Sequence, residues 1–291
     1  MASRFSKSKA TVLLAAVATC ATAHAEETRS EQHALHWNAE PPQETRADSV
    51  GQAEPAKPTA AAAGALDDGQ LDPFTIGAPA ARGVASVKTL GGYDSASKSG
   101  AVRSAVDASV TKWLALRLEY EHGPGTGSDD RVTVGARVVL LNEKKHSIDG
   151  GFGFFYDAKD FRNEGNFIGM LLVGRHFGRL NLYGNALFGM DSEGDDQAVE
   201  LRAGTGYRLS PMLELGFDSR GRVNMSEDSK RANAQAINWE LQATPTAALS
   251  FGPIALLASV GPSFLNVTEP GAAKGHLDSG VLALGGVGGA F

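Results

Sequence analysis

An all-β fold, closed as an antiparallel barrel of about twelve strands, is predicted from three features of the sequence. After residue 80, apolar and polar residues alternate with period two. The alternating segments mostly run to about 10–14 residues, against about 5–6 for an ordinary globular strand and about 9–11 for a tilted strand crossing a hydrocarbon layer. The joints between them alternate between long, polar, glycine-rich stretches and tight turns.

The first 25 residues follow a different logic. MASRFSKSK carries Arg4, Lys7 and Lys9, ATVLLAAVA is apolar, and AHA ends at Ala25 with small residues framing a cleavage point. That is the pattern of a secretory signal peptide, too short for a transmembrane helix. Cys20 is the single cysteine of the chain and lies within it. Cleavage would therefore leave a chain without disulfides. Residues 26–79 lack sustained periodicity and are rich in Glu, Ala, Gln and Pro, with Pro41, Pro42, Pro55 and Pro58 spread along them. Such a composition buries too little apolar surface to offset its ordering entropy, so an acidic, disordered arm is expected.

The barrel is expected over 80–291. In KWLALRLEYE, Leu114, Leu116, Leu118 and Tyr120 oppose Ala115, Arg117, Glu119 and Glu121. RVTVGARVVLL sets Val132, Val134, Ala136 and Val138 against Arg131, Thr133, Gly135 and Arg137. VELRAGTGYRL sets Val199, Leu201 and Tyr207 against Glu200, Arg202, Gly204, Gly206 and Arg208. Period two is the signature of a strand with two different faces. Extended along the chain, the pattern predicts strands near 82–94, 101–110, 112–121, 130–141, 146–157, 165–177, 179–190, 197–209, 211–222, 235–248, 250–262 and 279–291. Long joints are expected at DSASKSG, HGPGTGSDD, AKDFRNEG, DSEGDD, NMSEDSKRANA and NVTEPGAAKGHL, and short ones at NEKK, FG, SP and SFG.

No stretch after the leader approaches the roughly 18 consecutive apolar residues of a membrane helix. An exported chain of this kind is then either a soluble β-protein or a barrel in an outer membrane, and strand length with alternating joints favours the barrel. From residue 80 onward the chain resembles porin-like outer-membrane β-barrel proteins of Gram-negative bacteria. The resemblance rests on the export signal, the alternating strands and joints, and the terminal Phe291. It implies outer-membrane lipid as surroundings. It also implies that Phe291 is an assembly signal read by the barrel-assembly machinery, although Gly289 stands where the family usually has a further aromatic residue.

In such a barrel the apolar face meets lipid and the polar alternates fill the lumen. The expected lumen-lining set is Arg117, Glu119, Arg137, Asp149, Asn181, Asn185, Glu200, Arg202, Glu214, Asp218, Arg220, Glu240 and Gln242. Both charge signs occur, so cross-strand pairing can form a network. Glycines at 135, 204, 206 and 216 would leave it some room. Eight strands leave just enough interior for side chains and sixteen leave an aqueous channel. Twelve predicts a narrow passage for small polar solutes, with a non-conducting structural or surface-interaction barrel as the alternative and a soluble periplasmic β-sandwich as a third reading.

Other chemistry finds little support. The formal net charge of −6 gives no basic excess for nucleic acid. His146–Ser147 falls at a short turn expected on the periplasmic side, away from the outer leaflet where lipid-cleaving barrels work, His176 has no obvious Ser or Cys partner, and no GxSxG motif occurs, so no catalytic residue is expected. GPGTGS at 123–128 has no following helix to cradle phosphate. DSEGDD lacks the spacing of a calcium loop, and the His33–His36 pair has no carboxylate cluster, so neither cofactor nor metal is expected.

Overall fold

The computed structural model describes residues 74–77, 83–123, 130–159, 165–192, 197–225, 236–269, 272 and 274–291. The expected signal peptide, the His33–His36 pair, most of the expected arm and most of GPGTGS and DSEGDD lie outside the described residues.

Among the described residues, twelve strands follow one another along the chain. They are β1 (Ala85–Asp94), β2 (Ser99–Ser109), β3 (Leu114–His122), β4 (Asp130–Leu141), β5 (Asp149–Lys159) and β6 (Gly165–Phe177), then β7 (Leu180–Asp191), β8 (Gln197–Arg208), β9 (Leu213–Asn224), β10 (Ala236–Phe251), β11 (Ile254–Thr268) and β12 (His276–Ala290). Each pairs antiparallel with its neighbours in sequence, and β12 pairs with β1, so one sheet closes on itself. A two-sheet sandwich is thereby excluded.

Closure runs from Ser86↔Ala290 to Asp94↔Leu282. Ala85 and Phe291 extend the seam, the Phe291 N–H donating to Ala85 O at 2.8 Å and the Ala85 N–H to Phe291 O at 3.0 Å. A sheet without an edge leaves no row of unpaired backbone groups to recruit another chain. Two prolines stand inside paired strands, where a missing N–H is normally excluded. The β10–β11 ladder lapses around them, between Gln242↔Ser263 and Thr246↔Ser259, and both Pro245 and Pro262 are exposed on the outer face.

The joints depart from expectation at two places. The β1–β2 connection, expected to be long, is only 95–98, with Lys98 at a positive φ of 54°. The Asp94 carboxylate accepts the Ala96 N–H at 2.9 Å and tightens it into a turn. On the other rim, NEKK opens a short helix, α1 (Glu143–His146), where a tight joint was expected. Asn142 caps it through the Lys144 N–H at 3.1 Å, and Ser147 ends it in the left-handed region at φ 63°.

The wall turns its large apolar residues outward. Leu116, Val134, Phe154, Leu171, Leu201, Leu215, Leu241, Leu256, Val260 and Val281 are all exposed, Phe154 at 69% and Leu171 at 66%. Trp113, Phe177, Tyr207 and Phe251 sit at strand ends on the α1 rim, and Tyr93, Phe167 and Trp239 toward the other rim. Phe154 and Phe217 lie well inside β5 and β9. β12 shows which of its faces is which: Val281, Ala283 and Val287 are exposed, while Leu282 and Leu284 are buried inside.

Closure predicts a cross-link. Thr89→Cys with Val287→Cys, at paired positions on β1 and β12, should be joined within one chain by a short bifunctional thiol reagent. Thr89→Cys with Leu201→Cys, on distant strands, should not. Gel mobility under denaturing conditions reads both.

Candidate functional site

The inner face carries the candidate site. Of the thirteen residues expected there, all but Glu214 are buried. Glu214 is half-buried near the α1 rim, 3.8 Å from Arg208. Two others also serve the rim: Asp149 accepts the Glu143 N–H at 2.9 Å, holding α1 against β5, and Asn181 lies one residue into β7. The remaining ten form a waist with residues outside the expected set, namely Arg103 and Asp107 of β2, Glu121 of β3, Arg131 of β4 and Asp157 of β5.

Ion pairs link this waist across strands. Arg117 reaches Asp107 at 2.6 Å and Glu119 at 2.7 Å, and Arg103 reaches Glu119 at 2.7 Å. Arg137 also bonds Asp107, and Arg131 bonds Asp157. Arg202 meets Glu200 at 2.5 Å. The most consequential residue is Arg220, only 1% exposed. Its guanidinium lies 2.8 Å from Glu200 and 3.2 Å from Glu240, on the two strands flanking β9, and 2.5 Å from Glu121. Glu121 belongs to β3, six strands away either way round the barrel. This pair spans the lumen.

A second element crosses the interior. Residues 74–77, counted within the expected arm, are held inside the barrel. The Phe74 N–H donates to Asp218 Oδ2, the Thr75 N–H to the same oxygen at 3.2 Å, and the Thr75 hydroxyl to Asp218 Oδ1 at 2.5 Å. Phe74 packs with Leu90, Leu257, Leu282 and Leu284 on one wall. Ile76 packs with Phe155, Met170, Leu172 and Leu187 on the other. The lumen is therefore apolar in patches, not polar throughout. The room expected beside Gly135 is taken by Phe155: a Cβ at Gly135 would lie 2.5 Å from Phe155 Cδ1.

Two small cavities lie beside the segment. One cavity of about 50 Å³ lies against Ile76 among Arg117, Glu121, Arg131, Arg220 and Arg222. Another of about 10 Å³ is lined by Thr75, Gly77, Lys88, Asp107 and Arg137. One water needs about 10–15 Å³ measured this way, so these hold a few waters and no larger solute. Among the described residues, the Arg220–Glu121 pair and the 74–77 segment cross the lumen.

Glu143, Asp149 and His176 bring possible metal-ligand atoms within 4.8 Å of one another at the α1 rim. They are already engaged with each other: His176 Nδ1 lies 2.5 Å from Glu143 and its Nε2 2.8 Å from the Tyr183 hydroxyl. Desolvation alone would raise the Glu143 carboxyl, but hydrogen bonds from the His176 ring and backbone N–H outweigh it and hold it below the usual carboxylate range.

With the geometry established, the chain can be set beside solved structures. The NanC porin matches with a TM-score of 0.50 at 13% identity, over 70% of this chain and 98% of that one. The KdgM porin matches at 0.49 and 10%, over 71% and 99%. The COG4313 outer membrane channel from Pseudomonas putida F1 matches at 0.47 and 13%, over 78% and 100%. The fold is porin-like. That likeness is one of fold, carried by the NanC match. No family model matches the chain, and no curated protein does.

The residues that the sequence reading left out were within reach of its own rule. Arg103 and Asp107 alternate with the small apolar residues of β2, and Arg131 and Glu121 stand on the polar faces already recognised in β3 and β4. Their mutual pairing carries no sequence signal. Arg220 and Glu121 are 99 positions apart, and period two assigns a face, not a partner across the lumen.

Arg220 answers three carboxylates, so removing it strands buried charge. Arg220→Met is expected to destabilise the barrel by about 3–5 kcal/mol, as breaking a buried pair from one side does. Adding Glu121→Gln should recover part of that loss. Equilibrium unfolding of the four proteins of this double-mutant cycle measures both effects.

Proposed function

We infer that the chain spans an outer membrane and offers a narrow passage to small polar solutes. The observation that carries the membrane reading is the inverted distribution of side chains. A closed wall exposes Phe154, Leu171 and Val281 while burying Arg137, Arg220 and Glu240. Hydrocarbon accepts such an exterior, and a closed barrel satisfies the backbone without water. The signal peptide at 1–25 would export the chain, and the part of the arm that precedes residue 74 would stay on the periplasmic side. Phe291, 71% exposed at the end of the closing strand, would act as the assembly signal.

The passage reading rests on the waist. Its arginines 103, 117, 131, 137, 202 and 220 pair with the carboxylates of Asp107, Glu119, Glu121, Asp157, Glu200 and Glu240, and several arginines have more than one partner within reach. Two cavities with room for a few waters lie beside it, against the 74–77 segment. Exchange of partners would let a small polar solute replace one contact with another, with size and local field setting selectivity. The Arg220–Glu121 contact favours the second reading, a non-conducting structural barrel.

Two measurements test these readings. Leu171 lies at the middle of β6 on the exposed face. In phospholipid vesicles Leu171→Arg should cost about 2–4 kcal/mol of unfolding free energy if that face meets hydrocarbon, whereas an exposed position in water changes stability within about 0.5 kcal/mol. Planar-bilayer recording of folded protein should give small, resolvable current steps. A flat trace would favour the non-conducting barrel. Deleting Phe291 should separately lower the amount of assembled barrel in membrane fractions, read by heat-modifiable gel mobility.

A further inference from the structure

The segment at 74–77 is held by its main chain. Two consecutive N–H groups, of Phe74 and Thr75, go to the Asp218 carboxylate. Asn185 accepts the next, from Ile76, at 2.7 Å and returns a bond to the Ile76 carbonyl at 3.0 Å. Arg202 donates to the Phe74 carbonyl at 2.8 Å. These three receptor side chains come from the adjacent strands β7, β8 and β9 and are themselves buried. Main-chain bonds of this kind accept any sequence, and alternate side chains entering pockets supply the selection. Here the alternate side chains are Phe74, beneath the Arg103 guanidinium at 4.9 Å from the ring centre, and Ile76 on the opposite wall. Between them the Thr75 hydroxyl satisfies the second Asp218 oxygen.

Such a receptor is built whether or not its occupant is covalently attached. Withdrawing the segment would take from Asp218, 0% exposed, the three bonds its carboxylate accepts, and would expose apolar patches on two walls to water. Another occupant with the same pattern of donors and side chains would restore both.

We propose that Asp218, Asn185 and Arg202 form a peptide-binding site in the lumen, selective for an extended apolar-Thr-apolar segment, which residues 74–77 occupy in cis as a displaceable stopper. The stopper role rests on the channel reading of the previous section; the binding site does not.

The test uses the full-length chain with Phe74→Gly and Ile76→Pro, which remove both apolar anchors and the N–H given to Asn185 but leave every barrel side chain in place. The probe is a fluorescent, end-blocked Phe-Thr-Ile-Gly peptide, with a scrambled Thr-Phe-Gly-Ile peptide as control. Heat-modifiable mobility first establishes that the variant is folded. A tethered segment competes at an effective concentration on the order of millimolar, so the variant should bind the peptide at least about tenfold more tightly than the native chain. Adding Asp218→Ala to the variant should abolish that binding. In bilayers the variant should conduct severalfold more than the native chain, and added peptide should bring the current back down.

Folded variant and native chain binding the peptide equally, or neither binding it, would overturn the proposed site. Specific binding with no current in either protein would uphold the site and defeat the channel reading. Current of equal size in both, indifferent to the peptide, would overturn the stopper and leave the channel standing.

Discussion

A cylinder of twelve strands encloses more space than its wall side chains fill as a matter of course, since about eight strands suffice for that. The surplus interior is the constraint on which the rest of this structure depends. It is met by long side chains and by a piece of the chain itself. Arg220 extends from β9 to Glu121 of β3, and residues 74–77 cross between walls lined by Leu282 on one side and Phe155 on the other. An arginine suits such a span because its planar, always charged guanidinium offers several donors at the end of a long stem. Three glutamates surround it, and a single carboxylate would balance its charge but leave several of its five N–H donors without a partner.

The same constraint explains why the inner face is not uniformly polar. Where the segment crosses, the wall offers leucines and a phenylalanine to its two apolar side chains; where it does not, the wall offers paired charges. Outside, the physics is reversed. Leucine, valine and phenylalanine cover the exposed face, and closure leaves the sheet without an edge strand. Inside and outside are separated by a single layer of backbone, so each strand carries both environments on alternate residues.

That alternation made much of the architecture legible. β8 could be read directly because Glu200 and Arg202 stand between Val199, Leu201 and Ala203. β12 could not be oriented, since Leu282 and Leu284 are no less apolar than Val281 and Val287. The distinction lies in what they touch, and the contact is Phe74, more than 200 residues earlier in the chain. The role of 74–77 was hidden for a related reason. Four residues are too few to show a period, and they follow a stretch whose composition argues for disorder. The β1–β2 turn was expected to be longer because Ser, Lys and Gly announce a turn without giving its length. There the Asp94 side chain settles the matter by accepting the Ala96 N–H.

A contact that spans the lumen from wall to wall can be sought directly in the bilayer. Magic-angle-spinning NMR of barrel reconstituted in lipid, with carbon label in glutamate side chains and nitrogen label in arginine, reports carboxylate–guanidinium proximity through dipolar dephasing. Glutamine replacement of Glu121 identifies its share of the signal. The account predicts strong dephasing assignable to Glu121 and Arg220, as a nitrogen–oxygen separation of 2.5 Å requires. A Glu121 carboxylate with no measurable coupling to any arginine, in folded and membrane-inserted protein, would contradict it.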